Sequence, residues 1–244
     1  MAFINRIKKS LKKLPIMGPL WEKLSDYRLE KLNTESVFTD IYRKNVWGDK
    51  ESVSGAGSNL AQTEIIRTEL AKLIKKLAIT TILDIPCGDF YWMRLVDLNG
   101  IKYIGADIVK PLIQDNNVKY GKEMIEFRNL DLLKDPLPKA DLILCRDCLV
   151  HLSFADIFIA LKNICQSGST YLLTTTFTER QNNDDIITGR YHNLNLTITP
   201  FNFPAPILVI NEQCTEREGD EEFTDKSLAL WKIADIAKIL GPIT

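Results

Sequence analysis

Asp147 and His151, four residues apart, are an aspartate and one of only two histidines in the chain, the residue types that take a proton from a reacting hydroxyl. Upstream, Asp84 and Asp107 each close an apolar run and lie 23 residues apart. That is near the spacing of about 20 between a glycine-containing first turn and the acid that grips ribose hydroxyls in dinucleotide-type folds. The stretch Cys145-Arg146-Asp147-Cys148 carries the Cys-x-x-Cys spacing of a metal or redox site, but it lacks the second pair that a zinc centre needs, and no metal is expected. A loop of small residues with Ser54, Gly55 and Ser58 precedes a helical pattern and could offer backbone N–H groups to an anion. It lacks the Lys-Ser/Thr ending of a P-loop. A long polar stretch, Glu179 to Pro206, brings Arg180, Arg190, Tyr191 and His192 forward as substrate-side residues, with Arg190 suited to clamp a phosphate or carboxylate bidentately.

These residues need a scaffold, and the hydrophobic pattern supplies one. Short apolar runs at Thr81–Ile85, Ile101–Ala106, Ile125–Leu130, Ala140–Cys145 and Ser169–Phe177 read as strands, the first four ending in acidic or polar residues. Phe90–Leu98, Val109–Tyr120 and Leu149–Cys165 read as crossover helices. Alternating strands and helices predict an α/β fold with a doubly wound, mainly parallel sheet, whose ligand lies beyond the C-terminal strand ends. A final pair of strands, Ile207–Gln213 and Ser227–Ile233, brings the sheet to seven, with Trp231 expected in the core. Helical spacing also predicts helices over Leu20–Asn33, Ser36–Asn45 and Gln62–Leu77.

Leu83-Asp84-Ile85-Pro86-Cys87-Gly88-Asp89-Phe90 resembles the first motif of the Rossmann-like (class I) S-adenosylmethionine-dependent methyltransferases, with proline and phenylalanine replacing two of its three glycines. Loss of those glycines argues against a pyrophosphate site, because a dinucleotide requires close backbone approach. Gly105-Ala106-Asp107-Ile108 resembles the second motif, Asn129-Leu130-Asp131-Leu132 the third, and Asp141-Leu142-Ile143-Leu144-Cys145-Arg146-Asp147 the fourth. The resemblance covers Thr80 to Phe177. It implies S-adenosylmethionine as cofactor, with Asp84, Pro86, Cys87 and Gly88 in the first turn and Asp107 and Ile108 at the ribose. It further implies Asp131 and Leu132 at the adenine and Arg146 at the strand end facing the methyl donor. Asp147 and His151 then stand beside the methyl group as candidate catalytic bases; an acceptor that is already anionic would need none. The Tyr42–Ser58 and Pro86–Met93 stretches are similar to a bacterial subgroup associated with surface-polysaccharide biosynthesis, which implies a sugar or phosphoryl-containing sugar precursor as acceptor. On this reading residues 1–59 form a helical N-terminal extension or lid and 60–244 the cofactor-binding domain.

Composition sets the bounds. A chain of 244 residues, 45% apolar and 26% charged, buries a sufficient core without disulfides or a structural metal. Its 31 basic and 32 acidic residues leave no net field for nucleic acid. Five scattered cysteines and the absence of a long apolar run point to the cytoplasm. The first fourteen residues, with Arg6, Lys8, Lys9, Lys12 and Lys13, read as a basic amphipathic helix that packs on the domain or touches an anionic membrane surface weakly. The expected activity is methyl transfer to a small-molecule acceptor. Competing readings are an RNA or protein methyltransferase, a non-catalytic S-adenosylmethionine-binding subunit and a nicotinamide oxidoreductase.

Overall fold

The computed structural model describes residues 25–218 and 221–241. Seven strands form one sheet: β1 (Thr81–Asp84), β2 (Lys102–Asp107), β3 (Ile125–Asn129), β4 (Leu142–Cys145), β5 (Tyr171–Phe177), β6 (Leu208–Asn211) and β7 (Lys226–Lys232). Their order is β3-β2-β1-β4-β5-β7-β6. The first five run parallel, while β7 lies antiparallel between β5 and β6. The register sets Asp84 beside both Gly105 and Leu144, which aligns the C-terminal ends of β1, β2 and β4 along one edge.

The helices are α1 (Thr34–Lys44), α2 (Glu64–Lys76), α3 (Lys110–Tyr120), α4 (Phe154–Gln166) and α5 (Ile233–Leu240). One sheet face, with Ile82, Tyr103, Leu142 and Leu144, packs on Ile66, Leu70 and Leu73 of α2 and Ile113 of α3. The other, with Leu83, Ile104, Ile143 and Leu172, packs on Ile157, Leu161 and Ile164 of α4 and Ile236 of α5. Burial on both faces explains why β1 and β4 read as continuous apolar runs rather than alternating ones. Trp231 is buried and donates from Nε1 to the Pro204 carbonyl at 2.7 Å.

The structure departs from the predicted elements in three places. Phe90–Leu98 forms no α-helix, only a 3₁₀ turn over Met93–Leu95. Phe90 takes a left-handed φ of +57° and its buried ring meets Tyr103, Tyr120 and Phe127 at 5.0–5.4 Å. Such contacts contribute about 0.5–1.5 kcal/mol each, so tertiary packing outweighs local helical tendency. The predicted helix Leu149–Cys165 divides into a 3₁₀ turn, Leu149–His151, and α4. Ser153 accepts from the Asp156 amide and caps α4, which leaves Asp147 and His151 outside any α-helix. Near the N-terminus, residues 25–30 are helical, and Asn33 then accepts from the Ser36 amide to begin α1 afresh. The basic helix expected over the first fourteen residues lies outside the described residues. Among those described, no helix is long and apolar enough to cross a membrane.

Candidate active site

The carboxyl edge of the sheet opens into a cavity of about 440 Å³ that meets the ends of β1, β2 and β4, within the size range of small-molecule sites. Asp107 ends β2 there, 6% exposed. Its carboxylate accepts from the amides of Val109 at 2.9 Å and Gly88 at 3.3 Å, so the turn after β1 and the turn after β2 are tied through one side chain. Burial pushes its pKa up to about 6 against those amide bonds. Asp84 ends β1 deeper in, where burial pushes its pKa up to about 7 although the Tyr103 hydroxyl donates to it at 2.5 Å. Pro86, Cys87, Gly88, Ile108, Asp131 and Leu132 also line the cavity. Asp131 accepts from the Leu133 amide and pairs with Lys134, so its carboxylate closes its own turn as well as facing the cavity.

The N-terminal segment forms the opposite wall. Phe38 and Tyr42 of α1, Trp47, Ser54, Gly55 and Ser58 all line the cavity. Asp89, the residue after the motif glycine, holds this wall down: its carboxylate accepts from the Ser52 hydroxyl and the Val53 amide, both at 3.0 Å. Gly88, at φ +52°, lies so close beneath the wall that a Cβ would come within 2.2 Å of Ser54 Oγ. Here the glycine is required by both backbone conformation and space. Four of the loop's amides are spent inside the protein rather than left for an anion. The amides of Val53, Ser54, Gly55 and Ser58 are donated to Asp89, Ser52 and Gly55 within the protein.

The two candidate bases have opposite properties. Asp147 sits in a turn after β4 with φ +51°. Burial alone would raise its pKa, but Arg146 at 3.1 Å and Lys226 at 2.8 Å hold the carboxyl well below the usual range, which makes it a poor proton acceptor. Arg146 is buried and also forks onto Glu212, with Nε at 3.2 Å and Nη2 at 2.7 Å, and it donates to the Gly57 carbonyl. It therefore works as a strut beneath the strand end while contributing to the cavity wall. His151 lies on that wall with Nδ1 2.9 Å from the Arg190 carbonyl. A carbonyl only accepts, so Nδ1 carries the hydrogen and Nε2 keeps its lone pair. Burial pushes the imidazole below 6.5, so the ring is neutral at physiological pH. Trp47 and Tyr191 pack on it with ring centroids at 5.1 and 5.5 Å.

Of the four residues drawn from the long polar stretch, only Tyr191 lines the cavity. Arg180 turns to buried Asp225 at 3.0 Å, and the Arg190 guanidinium pairs with Asp26 at 2.9 Å. His192 binds the Asp184 carbonyl through Nδ1 and stacks on Phe154. The physical reason is that the segment folds back on the 3₁₀ turn, through Gly189 N to His151 O and His192 N to Val150 O, so Arg190 meets Asp26 of the N-terminal helical stretch and Arg180 meets Asp225 ahead of β7. The cavity residues missed from sequence include Trp47, Asp89, Glu216 and Lys226. Lys226 carried a signal, a lysine opening an otherwise apolar strand, and Asp89 stands within the first motif.

No protein-family model and no curated protein matches the sequence. Solved structures do match in three dimensions. Human N-acetylserotonin methyltransferase, in complex with S-adenosylmethionine, superposes with a TM-score of 0.56 at 15% identity over 82% of this chain, which spans 59% of the human one. N-methyltransferase NodS of Bradyrhizobium japonicum WM9, in complex with S-adenosylhomocysteine, gives 0.57 at 14% identity, covering 78% of this chain and 97% of NodS. Magnesium protoporphyrin IX methyltransferase of Synechocystis PCC 6803, with bound S-adenosylmethionine, gives 0.50 at 13% identity over 82% and 97% of the two chains. With strand order β3-β2-β1-β4-β5-β7-β6 and β7 reversed, this chain has the fold of the class I S-adenosylmethionine-dependent methyltransferases.

Proposed function

We propose that the chain is an S-adenosylmethionine-dependent O-methyltransferase acting on a small hydroxyl-bearing acceptor. The observation that carries this reading is the cavity where buried Asp107, tied to the first turn, shares a chamber with neutral His151. The residues present fit the cofactor. Asp107 keeps acceptor capacity beyond its two amide bonds and suits a pair of ribose hydroxyls; Ile108 and Leu132 offer apolar edges, and Asp131 a carboxylate, to an adenine. S-adenosylmethionine supplies an electrophilic methyl group and carries no phosphate, which suits a first turn with a single glycine. The protein's part is alignment, exclusion of water and removal of one proton. His151 Nε2 takes the proton from the acceptor hydroxyl, and Asp147, already doubly ion-paired, holds the strand end rigid instead of titrating. The wall of Trp47, Tyr42 and Ser54–Ser58 shields the reacting atoms. A bacterial surface-glycan sugar is the acceptor class supported by the sequence resemblance, and five free thiols suit a reducing compartment such as the cytoplasm.

Thermal unfolding with and without S-adenosylhomocysteine tests the donor site. At about 100 times the dissociation constant the ligand adds about 2.7 kcal/mol, a rise of several degrees in Tm for a domain of this size. Asp107→Ala should lose about 1–3 kcal/mol of that binding and most of the shift. An unshifted wild-type protein, or a mutant shifted as far as the wild type, rejects the assignment.

A further inference from the structure

We propose that Glu216 makes the acceptor side of this cavity anion-excluding, so that the acceptor bears neither phosphate nor carboxylate and donates a hydrogen bond to the Glu216 carboxyl. This deepens the methyltransferase reading and, for the choice of acceptor, rests on it.

An anion in a pocket needs an unneutralised cation or convergent free N–H groups. Among the described residues the cavity has two cations, Arg146 and Lys226. Both are committed: Arg146 to Glu212 and Asp147, and Lys226 to Asp147 at 2.8 Å and Glu212 at 3.7 Å. Two cations and two carboxylates cancel. Glu216, on the cavity wall, adds a third carboxyl to this cluster and is in no ion pair among the described residues. Among the described residues its side chain has one weak hydrogen-bond partner, the Cys214 thiol at 3.9 Å.

Gly57 keeps this cluster open to a ligand. A Cβ there would stand 3.1 Å from Glu216 Oε2 and 3.4 Å from both Asp147 Oδ2 and Lys226 Nζ. The three polar atoms thus face one small space that a side chain would fill. Four of the loop amides that would offset the negative charge, those of Val53, Ser54, Gly55 and Ser58, are already donated within the protein. Tyr191 and Phe223, with ring centroids at 5.7 Å, continue the wall beyond His151 and give the acceptor an apolar surface instead of a charged one. The space therefore suits hydroxyl groups on a neutral molecule, with Glu216 as acceptor of the hydrogen bond.

Inorganic phosphate and pyrophosphate, titrated calorimetrically at low ionic strength into wild type, Glu216→Gln and Glu216→Lys, test this without knowledge of the acceptor. Each titration is run with and without S-adenosylhomocysteine, against chloride at matched ionic strength. The wild-type protein should show no phosphate-specific binding, while Glu216→Lys should bind pyrophosphate at least about tenfold tighter than wild type, with Glu216→Gln between. Circular dichroism and the ligand-induced rise in Tm verify that each variant is folded; the isosteric Gln variant carries the test if Lys does not fold. Phosphate binding by wild type that Lys226→Met abolishes, or folded variants with no gain, would overturn the proposal. Failure of S-adenosylhomocysteine to bind would reject the donor site alone, since the titrations without it still decide the role of Glu216.

Discussion

His151 is the side chain in which position and protonation state agree. Its Nδ1–H is fixed on the Arg190 carbonyl and burial keeps the ring neutral, so the lone pair of Nε2 is available at neutral pH. His151→Gln should lower kcat by about 10²- to 10⁴-fold while leaving S-adenosylhomocysteine affinity within about twofold. The wild-type rate should rise with pH through an inflection below 6.5, because protonation of Nε2 removes the base and burial shifts that event downward. A pH–rate profile that is flat from 5 to 8 would show that no such base acts. Asp107 adds a second pH effect with its own sign. If donor binding uses the ionised Asp107 carboxylate, as proposed, affinity for S-adenosylhomocysteine should fall as pH falls through about 6, and Asp107→Asn should remove that dependence. Calorimetric titrations at pH 5, 6 and 7.5 measure it.

At the scale of elements, the segment between α1 and α2 and the turn after β1 act as one unit. Asp89 accepts from Ser52 and Val53, Ser54 Oγ accepts from the Asp89 amide at 3.3 Å, and Trp47 rests on His151. The roof of the cavity is therefore fastened mainly to the turn after β1, with one further tie from the Gly57 carbonyl to Arg146 at the end of β4. Asp89→Ala should release the roof with little effect on the core. The expected result is hydrogen exchange at least tenfold faster over residues 50–58, with unchanged exchange in β1, β4 and β5. Gly88→Ala should be more damaging, because the added methyl meets Ser54 Oγ and the φ of +52° disfavours it; a loss of about 1–3 kcal/mol in a urea melt is expected. If protection over 50–58 is the same in Asp89→Ala as in wild type, the roof is held by something other than these bonds.

The whole molecule carries an electrostatic imbalance at its centre that should appear in its stability. Asp84 and Asp107 have pKa values raised to about 7 and about 6 in the folded state, against about 3.9 unfolded. Between pH 4 and 7 these two carboxyls bind more protons in the folded protein than in the unfolded chain, so their contribution to stability rises as pH falls, offset in part by His151, whose lowered pKa has the opposite sign. Asp147 has the opposite sign: its depressed pKa contributes stability above about pH 4 that is lost at lower pH. The ligand-free protein should be most stable near pH 4.5–6, on the order of 2 kcal/mol above its value at pH 7.5, and Asp84→Asn should flatten that rise. Urea melts across this range measure the difference; stability that increased steadily up to pH 8 would contradict the burial of these two acids.

The strands, their acidic ends and the sheet edge where the cavity opens were legible in the sequence because each depends on local pattern. Thr81–Asp84 and Leu142–Cys145 are apolar runs flanked by turn residues, and Asp84 and Asp107 follow from strand ends in a parallel sheet. The acceptor side was not legible, because it is assembled by contacts that sequence spacing does not encode. Lys226 reaches Asp147 across 79 positions and Arg146 reaches Glu212 across 66, and these pairs leave Asp147 ion-paired and, on the proposed reading, His151 as the base. Arg180 and Arg190 looked suited to substrate because arginines in a long polar loop have no evident partner. In the folded chain Asp225 and Asp26 are within reach, and a carboxylate at contact distance outcompetes a role that only proximity to the site would confer. Local hydrophobic pattern thus determined the sheet and the edge at which the cavity opens, while the ion pairing of Asp147 and the hydrogen bond that orients His151 were decided by which distant groups tertiary folding brought within about 3 Å.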